Sequence, residues 1–344
     1  MKQKRTQHIP NTNIVKSLLG CMKDGSEYAS IADKLVQSDF NLIEEVKLSI
    51  KEIEEISGRP CLLYVGNISD KGGPESGIIS GDDLPFKELV NSVYKRHKSV
   101  DILLATNGGS GEQVCRFVTY LRERFSDINF LLPSFCMSAG TLFALSGDKI
   151  FMSKHSFLGP IDPQVPSSDG RYVPAQALLL LVEKLKEDGE KALREGKNIP
   201  WTAVRIIAGI DKKQLGAAVT ASDWAKKIAK EYLLAYKFKN WDVRDGSSEP
   251  VTDEYKGSRA EEIADALSSH ERWKNHGHSI SREVLWSELK LKIDYPNEAL
   301  ERAIVRMWAL LTWIFDKTNT QKLFVGESYS LVRATINNLP EVKK

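Results

Sequence analysis

One serine of this sequence, Ser138, lies among small residues just after a short apolar run. The run at residues 128–132 reads INFLL, and the motif at residues 136–141 reads CMSAGT. Short apolar runs bounded by turns are typical of strands buried in parallel sheets. The pattern therefore predicts a strand-to-helix junction at Ser138, where a helix N-terminus supplies N–H donors and a favourable dipole. A serine attacking a carbonyl carbon needs such donors where the negative charge develops.

A pair of glycines follows the preceding apolar run in the same way. Residues 100–105 read VDILLA, and the next segment, TNGGSGEQ, contains Gly108 and Gly109, which allow a turn that other residues would strain. Because α/β sheets hold ligands at the carboxyl ends of their parallel strands, both corners are predicted at one edge. The amides of Gly108, Gly109 and Ala139 are then the natural oxyanion donors. Small residues are also common in turns without chemistry, so a purely structural role stays open.

Three motifs in this order resemble a known group of proteins. They are TNGG at residues 106–109, MSAGT at residues 137–141 and LGPIDPQ at residues 158–164. The chain resembles the ClpP/crotonase superfamily and its SppA-like peptidases, and most of all the serine dehydrogenase proteinase branch. The resemblance implies an α/β fold, a ClpP/crotonase-type spiral of βαβ units with helical N- and C-terminal additions. It also implies that Ser138 is the nucleophile and that the glycine turn forms part of the oxyanion hole.

The resemblance implies a base for Ser138 that comes from far along the chain. The place of the ClpP histidine is held here by Ile161 or Asp162. In the serine dehydrogenase proteinases the proposed triad runs Ser, Asp, His, and a W-x-x-H segment resembles residues 273–276 of this chain. Carried over, the triad is Ser138, Asp162 and His276, and this order is admissible because triads are defined by geometry.

Other bases stay open at the level of sequence. His155 lies close to Ser138 along the chain but stands in a short charged turn. SppA enzymes use a Ser–Lys dyad, which Lys184 or Lys186 could supply if the amine were buried and lost its proton more easily. Both lysines belong to a strongly charged, solvated segment.

The histidines His270, His276 and His278 invite a zinc hypothesis because they fall within nine residues. They lack cysteine or carboxylate partners at regular spacing, so no metal is predicted. No cofactor is predicted either, and an oxidoreductase is rejected because no GxGxxG motif follows a strand.

Composition favours an ordinary soluble protein. The chain has 344 residues, 42% of them hydrophobic and 27% charged, and a net charge of +2. That charge gives no reason to expect nucleic acid as a partner. The longest apolar stretch, residues 307–315, is far shorter than the roughly 20 residues of a membrane-spanning helix. Four cysteines without CxxC spacing are typical of buried thiols in a reducing compartment. We therefore expect a cytoplasmic protein without a membrane segment.

The chain is predicted to divide into three parts. Residues 1–57 form a helical N-terminal arm, residues 58–293 the ClpP/SppA-like peptidase domain, and residues 294–344 a C-terminal helical segment. The helices predicted at residues 43–53 and 303–315 have apolar faces that look too wide for one core contact, as in subunit interfaces. This pattern, with the ring assemblies of the resembled families, predicts a homo-oligomer.

Together these observations predict a cytoplasmic serine endopeptidase. It would hydrolyse peptide bonds of peptide or protein substrates through an acyl-enzyme on Ser138. Two alternatives stay open: a catalytically silent ClpP-fold protein that serves assembly or binding, and a crotonase-like acyl-CoA enzyme. The histidine missing from its ClpP position favours the silent protein, while the GG and SAG corners favour an enzyme.

Overall fold

A six-stranded sheet lies at the centre of the computed structural model, which describes residues 13–167, 170–244 and 246–335. The described strands are β1 (Ile14–Val15), β2 (Leu35–Val36), β3 (Cys61–Gly66), β4 (Ser99–Ala105), β5 (Asp127–Leu132), β6 (Phe135–Cys136), β7 (Lys149–Met152), β8 (Phe157–Leu158), β9 (Gln164–Pro166), β10 (Tyr172–Pro174), β11 (Ile280–Ser281), β12 (Thr320–Val325) and β13 (Ser330–Ala334). The central sheet has the order β13-β12-β3-β4-β5-β7. Its strands β3, β4, β5 and β7 are parallel, whereas β12 is antiparallel to both of its neighbours.

Helices cover both faces of this sheet. The described helices are α1 (Glu27–Ile31), α2 (Leu42–Ser57), α3 (Asp83–Asn91), α4 (Gly111–Arg122), α5 (Ala139–Leu145), α6 (Ala175–Arg194), α7 (Trp201–Gly209), α8 (Lys212–Tyr232), α9 (Asp253–Ser268), α10 (His270–Trp273), α11 (Arg282–Ser287) and α12 (Glu298–Lys317). A π-helical turn, Leu233–Lys237, continues α8.

Strand β3 shows how the two faces are built. Successive side chains of a strand point to opposite faces of the sheet. Tyr64 accordingly packs with Phe86 of α3 and Phe117 of α4, while Leu63 packs with α2 and α12 on the other face. All six residues of the strand are buried, as expected of a parallel sheet covered on both sides. The predicted α/β fold is confirmed.

The strands that position the two corners lie where the sequence predicted them. Strands β4 and β5 agree within one residue at each end with the predicted runs at residues 100–105 and 128–132. Because these strands are parallel, the turns that follow β4 and β5 share the carboxyl edge of the sheet. A small second sheet, β11-β8-β6, continues the chain at that edge.

The C-terminal part differs from the prediction of a helical segment. Helix α12 begins as predicted after Asn297, whose side chain accepts a hydrogen bond from the Leu300 amide. The strands β12 and β13 then follow, and all six residues of β12 are buried. Its buried Gln321 and Lys322 interrupt the apolar run by which a buried strand is identified in a sequence. A short strand pair, β1 with β2, likewise replaces part of the predicted N-terminal helices.

Most apolar residues of the two helices predicted to form subunit interfaces pack within the chain. Helix α12 has ten buried residues, because α1, α2 and β12 all pack against it. Helix α2 buries Val46, Ile50 and Ile53 in the same cluster. Apolar residues on several faces of these helices are therefore explained without a second subunit. The domain boundaries at residues 57/58 and 293/294 stay predictions, and helices from outside both boundaries pack on the central sheet.

Asp82 immediately precedes α3, but its carboxylate makes no capping hydrogen bond. It is fully buried and accepts hydrogen bonds from Lys322 Nζ (2.6 Å), Arg333 Nη1 (2.5 Å) and the Tyr64 hydroxyl (2.7 Å). Burial lowers the pKa of Lys322 to about 8, although the neighbouring Asp82 carboxylate acts to raise it. Lys322 Nζ also donates to the carbonyl of Gly77, so this ionic cluster fixes the loop before α3.

We expect Lys322→Met to lower the free energy of unfolding by about 3–5 kcal/mol, because it leaves the Asp82 carboxylate buried with one fewer cation. Urea unfolding followed by circular dichroism measures this change. Lys71→Met is the matched control: Lys71 belongs to the same loop and pairs with Asp316, but its side chain is 60% exposed. The control should cost less than about 1 kcal/mol. Equal losses in both variants would contradict a structural role for the buried cluster.

Candidate functional site

Ser138 has a backbone conformation that few residues other than glycine adopt. Its φ is 52° and its ψ is −117°, immediately before helix α5. Such strain persists only where the surroundings impose it, and it concentrates at functional sites. The corner also requires a glycine two residues later, since a Cβ on Gly140 would lie 2.5 Å from Thr106 Cγ2. The corner therefore holds the Ser138 side chain in a fixed direction at the end of the sheet.

The glycine turn touches this corner directly. Gly108 and Gly109 have φ values of 103° and 138°, a region that favours glycine. A Cβ on Gly108 would lie 2.8 Å from the Ser138 Cβ, and one on Gly109 would lie 2.3 Å from the Ile78 carbonyl oxygen. Ile78 pairs with the turn like a strand: its amide donates to the Gly108 carbonyl at 2.7 Å, and its carbonyl accepts from the Ser110 amide at 2.8 Å.

Two of the three predicted oxyanion amides are available. Within the described part of the chain, no hydrogen bond uses the amide of Gly109 or of Ala139, and Ala139 is the first residue of α5, whose amide has no intrahelical partner. The Gly108 amide instead donates to the Thr106 hydroxyl at 3.1 Å. Gly108 is thus in contact with Ser138, but its amide is occupied. The sequence could not show which of the two glycine amides is available, because both glycines suit the turn.

Asp162 and His276 lie together although 114 residues separate them. His276 Nδ1 is 2.7 Å from Asp162 Oδ1, and the Asp162 side chain is 1% exposed. Strand β11 pairs with β8 and brings the loop that contains His276 beside the segment that contains Asp162. The Ile161 amide donates to the Leu267 carbonyl at 2.9 Å and fixes this segment against α9. The Asp162 carboxylate is therefore held in a fixed position against the His276 imidazole.

A cavity of about 880 Å³ lies beside the Ser138 corner. Ser138, His276 and the two residues with available amides, Gly109 and Ala139, all line it. Its remaining wall is largely apolar and includes Leu142, Ile161, Tyr172, Ala217, Ala221 and Trp224. Trp224 belongs to α8, and a Cβ on Gly111 of α4 would lie 2.7 Å from its ring. This contact between α4 and α8 is not indicated by any spacing along the chain.

The alternative bases do not line this cavity. His155 is exposed in the turn before β8. Lys184 and Lys186 are exposed on α6, and Lys186 pairs with Glu183 at 3.1 Å. These positions leave the three residues without access to Ser138 in this conformation.

The other two histidines of the predicted cluster have separate surroundings. His270 Nδ1 lies 3.6 Å from Asp162 Oδ2, whereas His276 contacts the other carboxylate oxygen, Oδ1. The His278 ring packs against Trp273 with 5.0 Å between the centroids. Residues 13–167, 170–244 and 246–335 hold no group of three or more His, Cys, Asp or Glu side chains that could bind a metal ion.

A search of the described residues finds no helix with the length and apolarity needed to cross a membrane.

Curated relatives match a limited part of the chain. It is 28% identical over 142 residues to uncharacterized protein MJ0137 of Methanocaldococcus jannaschii, a match that covers 38% of this chain and 48% of the relative. For uncharacterized protein MJ1495 of the same organism the identity is 26% over 136 residues, covering 36% and 45%. The chain thus spans about half the length of these relatives.

Solved structures resemble the chain weakly. An alanine mutant of the 1510-N membrane-bound stomatin-specific protease is 19% identical, with a TM-score of 0.27, over 36% of this chain and 61% of that chain. Residues 90–232, which contain both corners, match the family model described as ClpP-like SDH-type serine proteinase. Over these residues, which make up less than half of the chain, the resemblance to ClpP-like serine proteinases predicted from the motifs is confirmed.

Proposed function

We propose that this protein is a serine endopeptidase with Ser138 as nucleophile, His276 as general base and Asp162 as the group that orients the base. The observation that carries the proposal is the shared cavity: the strained Ser138, the residues Gly109 and Ala139 with their available amides, and His276 all line it, and Asp162 contacts His276 at 2.7 Å. Each group has the chemical character that acyl transfer requires.

The proposed reaction has two steps. His276 Nε2 takes the hydroxyl proton as Ser138 Oγ attacks the peptide carbonyl, and the Gly109 and Ala139 amides donate to the oxyanion. The protonated imidazole then gives its proton to the leaving amine, the C–N bond breaks, and an ester forms on Ser138. A water molecule, deprotonated by His276, hydrolyses the ester and restores the serine. Asp162 accepts a hydrogen bond from the Nδ1–H group throughout, which keeps Nε2 directed at the reaction.

The same geometry weighs against the two alternatives. The histidine missing from its ClpP position favoured a silent protein, but His276 reaches the cavity from the β11 side. A crotonase-like acyl-CoA enzyme would use the amides but would give no role to a serine beside an Asp–His pair. We also propose a cytoplasmic location, because all four cysteines are free thiols, as in reducing compartments.

Cleavage of labelled casein by the purified protein tests the proposed function, because an unfolded chain supplies many accessible peptide bonds. Fragments that accumulate with the wild type and not with Ser138→Ala support an endopeptidase. Fragments of equal yield from both proteins would assign the cleavage to a contaminant and contradict the proposal.

Asp162→Asn is expected to lower kcat by about 10⁴-fold while the protein stays folded. An amide at this position stabilises the wrong tautomer of the imidazole, and this change has an effect of that size in a serine protease triad. Casein hydrolysis measures the loss and thermal unfolding checks the fold. Activity within a few fold of the wild type would remove Asp162 from the mechanism.

We further propose that the protein is a homo-oligomer and that α6 and α7 form the contact between copies. Helix α7 buries only Ala203 and exposes Trp201, Val204, Ile206 and Ile207, and Leu193 on α6 is 62% exposed. Apolar surface of this kind marks an interaction site. A second copy of the chain is the proposed occupant, because both helices extend from the cleft wall at Tyr172 and α8, so that paired copies would shelter the cleft.

Light scattering at micromolar concentration is expected to give a mass several times the 38.6 kDa of the chain. The double variant Trp201→Ser, Ile207→Ser should lower that mass without changing the circular dichroism spectrum. Leu48→Ser is the matched control, because Leu48 is 56% exposed on α2, away from α7. A wild type that stays monomeric, or a double variant with unchanged mass, would contradict the proposed contact.

A further inference from the structure

A second cavity, of about 920 Å³, lies at the opposite edge of the central sheet. Asp127 and Lys149, the first residues of β5 and β7, line it. The Ser138 corner follows the other end of β5. A strand of six residues spans about 20 Å, so the strand length separates this cavity from the candidate peptidase site.

The lining of this cavity carries an excess of positive charge. The lining contains seven cationic side chains and three carboxylates: Lys149, Lys237, Lys239, Arg244, Arg259, Lys290 and Lys292, and Asp127, Asp148 and Asp294. Two of the cations, Arg244 and Arg259, pair with Glu249 and Glu262, which do not line the cavity. The carboxylates are already paired. Arg59 lies 2.6 Å from Asp127, and Arg122 lies 2.8 Å from Asp148, and neither arginine lines the cavity.

Several of the lysines lack a carboxylate of their own. Lys149, Lys239 and Lys290 are exposed and make no ion pair with the residues that the structure describes. Lys237, by contrast, is 5% exposed and lies 3.0 Å from Asp294. Burial lowers the pKa of Lys237, and the charges of Lys292 and Lys149 lower it further, in opposition to Asp294. The cavity thus holds uncompensated positive charge close to a buried ammonium group.

Aromatic rings form the rest of the wall. Tyr236, Phe238, Trp241, Tyr255 and Trp286 line the cavity. Trp286 is 42% exposed, and Arg244 stacks on the Tyr255 ring at 4.0 Å. Flat rings offer a stacking surface to a nucleobase, and ammonium groups bind phosphate oxygens through charge-assisted hydrogen bonds. The volume lies within the range of small-molecule sites.

We propose that this cavity binds a nucleoside polyphosphate, with the phosphates on Lys149 and Lys290 and the base against Trp286. The lysines require a ligand with several negative charges, and the exposed ring requires a ligand with a planar face. A nucleotide has both features, whereas an acidic peptide would leave the aromatic wall unused. The proposal does not depend on the peptidase activity, since the two cavities share no lining residue.

Calorimetric titration with ATP and with inorganic tripolyphosphate tests the two halves of the site. Both ligands should bind saturably, with ATP about tenfold tighter because of the stacked base. Lys149→Gln with Lys290→Gln should weaken both ligands by about tenfold or more, through the loss of charge-assisted hydrogen bonds. Trp286→Ala should lower the affinity for ATP to that for tripolyphosphate and leave the affinity for tripolyphosphate unchanged.

Lys51→Gln is the matched control, because Lys51 is a 71% exposed lysine on α2. This variant should bind both ligands as the wild type does. Circular dichroism confirms that each variant is folded, and the single Trp286→Ala change keeps the test usable if the double variant unfolds. No saturable ATP binding, ATP binding unchanged in the variants, or ATP no tighter than tripolyphosphate would overturn the proposal. A polyglutamate peptide that binds while ATP does not would also overturn it and would indicate an acidic protein partner.

Discussion

Ser138→Ala is expected to lower kcat for casein hydrolysis by about 10⁶-fold, the size of effect measured for loss of the nucleophile in a serine protease triad. Without the hydroxyl no acyl-enzyme can form, and the remaining rate comes only from the amides and from substrate binding. The fold should persist, because no hydrogen bond of the Ser138 side chain supports helix α5. Alanine also has the small volume that the corner requires.

Ser110→Ala is a useful comparison for this variant, because Ser110 also lines the cavity. Its hydroxyl caps helix α4, accepting a hydrogen bond from the Gln113 amide at 3.1 Å. The loss of a cap costs about 1 kcal/mol of stability and should leave most of the turnover intact. If Ser110→Ala abolished turnover while Ser138→Ala retained it, the assignment of the nucleophile would be wrong.

His276→Ala is expected to lower kcat on the same scale, about 10⁶-fold, because nucleophile and base act as a unit. Combining it with Ser138→Ala should therefore cause little further loss. His276 lines the cavity beside Ser138 and contacts Asp162 at 2.7 Å, so its removal takes away the group that accepts the serine proton. Casein hydrolysis by the two single variants and the double variant measures this coupling.

His270→Ala is the matched control for the base. His270 also lies beside Asp162, at 3.6 Å, but it does not line the cavity. Its removal should leave turnover far closer to that of the wild type than the removal of His276. A collapse of activity in His270→Ala with near-normal turnover in His276→Ala would exchange the two roles. Collapse only in Lys184→Ala or Lys186→Ala would point to a Ser–Lys dyad.

The elements around Ser138 could be predicted because their signals are local. Short apolar runs give β4 and β5, and the glycines mark the turn after β4. The contact between Asp162 and His276 could be predicted only through the family resemblance, because no local pattern links residues 114 positions apart. The pairing of β11 with β8 that brings them together involves two residues in each strand.

Other features depend on tertiary packing and left no clear signal. The buried Lys322 breaks the apolar pattern of β12, and only its partner Asp82, far along the chain, explains its presence in a strand. The apolar faces of α12 suggested a subunit interface because a sequence does not tell burial in one chain from burial between two chains. The Gly108 amide is occupied because Thr106 faces it, a detail of turn geometry rather than of composition.

Labelling with a fluorophosphonate probe tests the central claim most directly, because the probe reacts with an activated serine and needs no known substrate. We expect the wild type to be labelled at Ser138, as identified by mass spectrometry of the modified peptide. Ser138→Ala should lose the label while keeping its circular dichroism spectrum, and His276→Ala should be labelled much more slowly. Equal labelling of Ser138→Ala and the wild type would contradict the account.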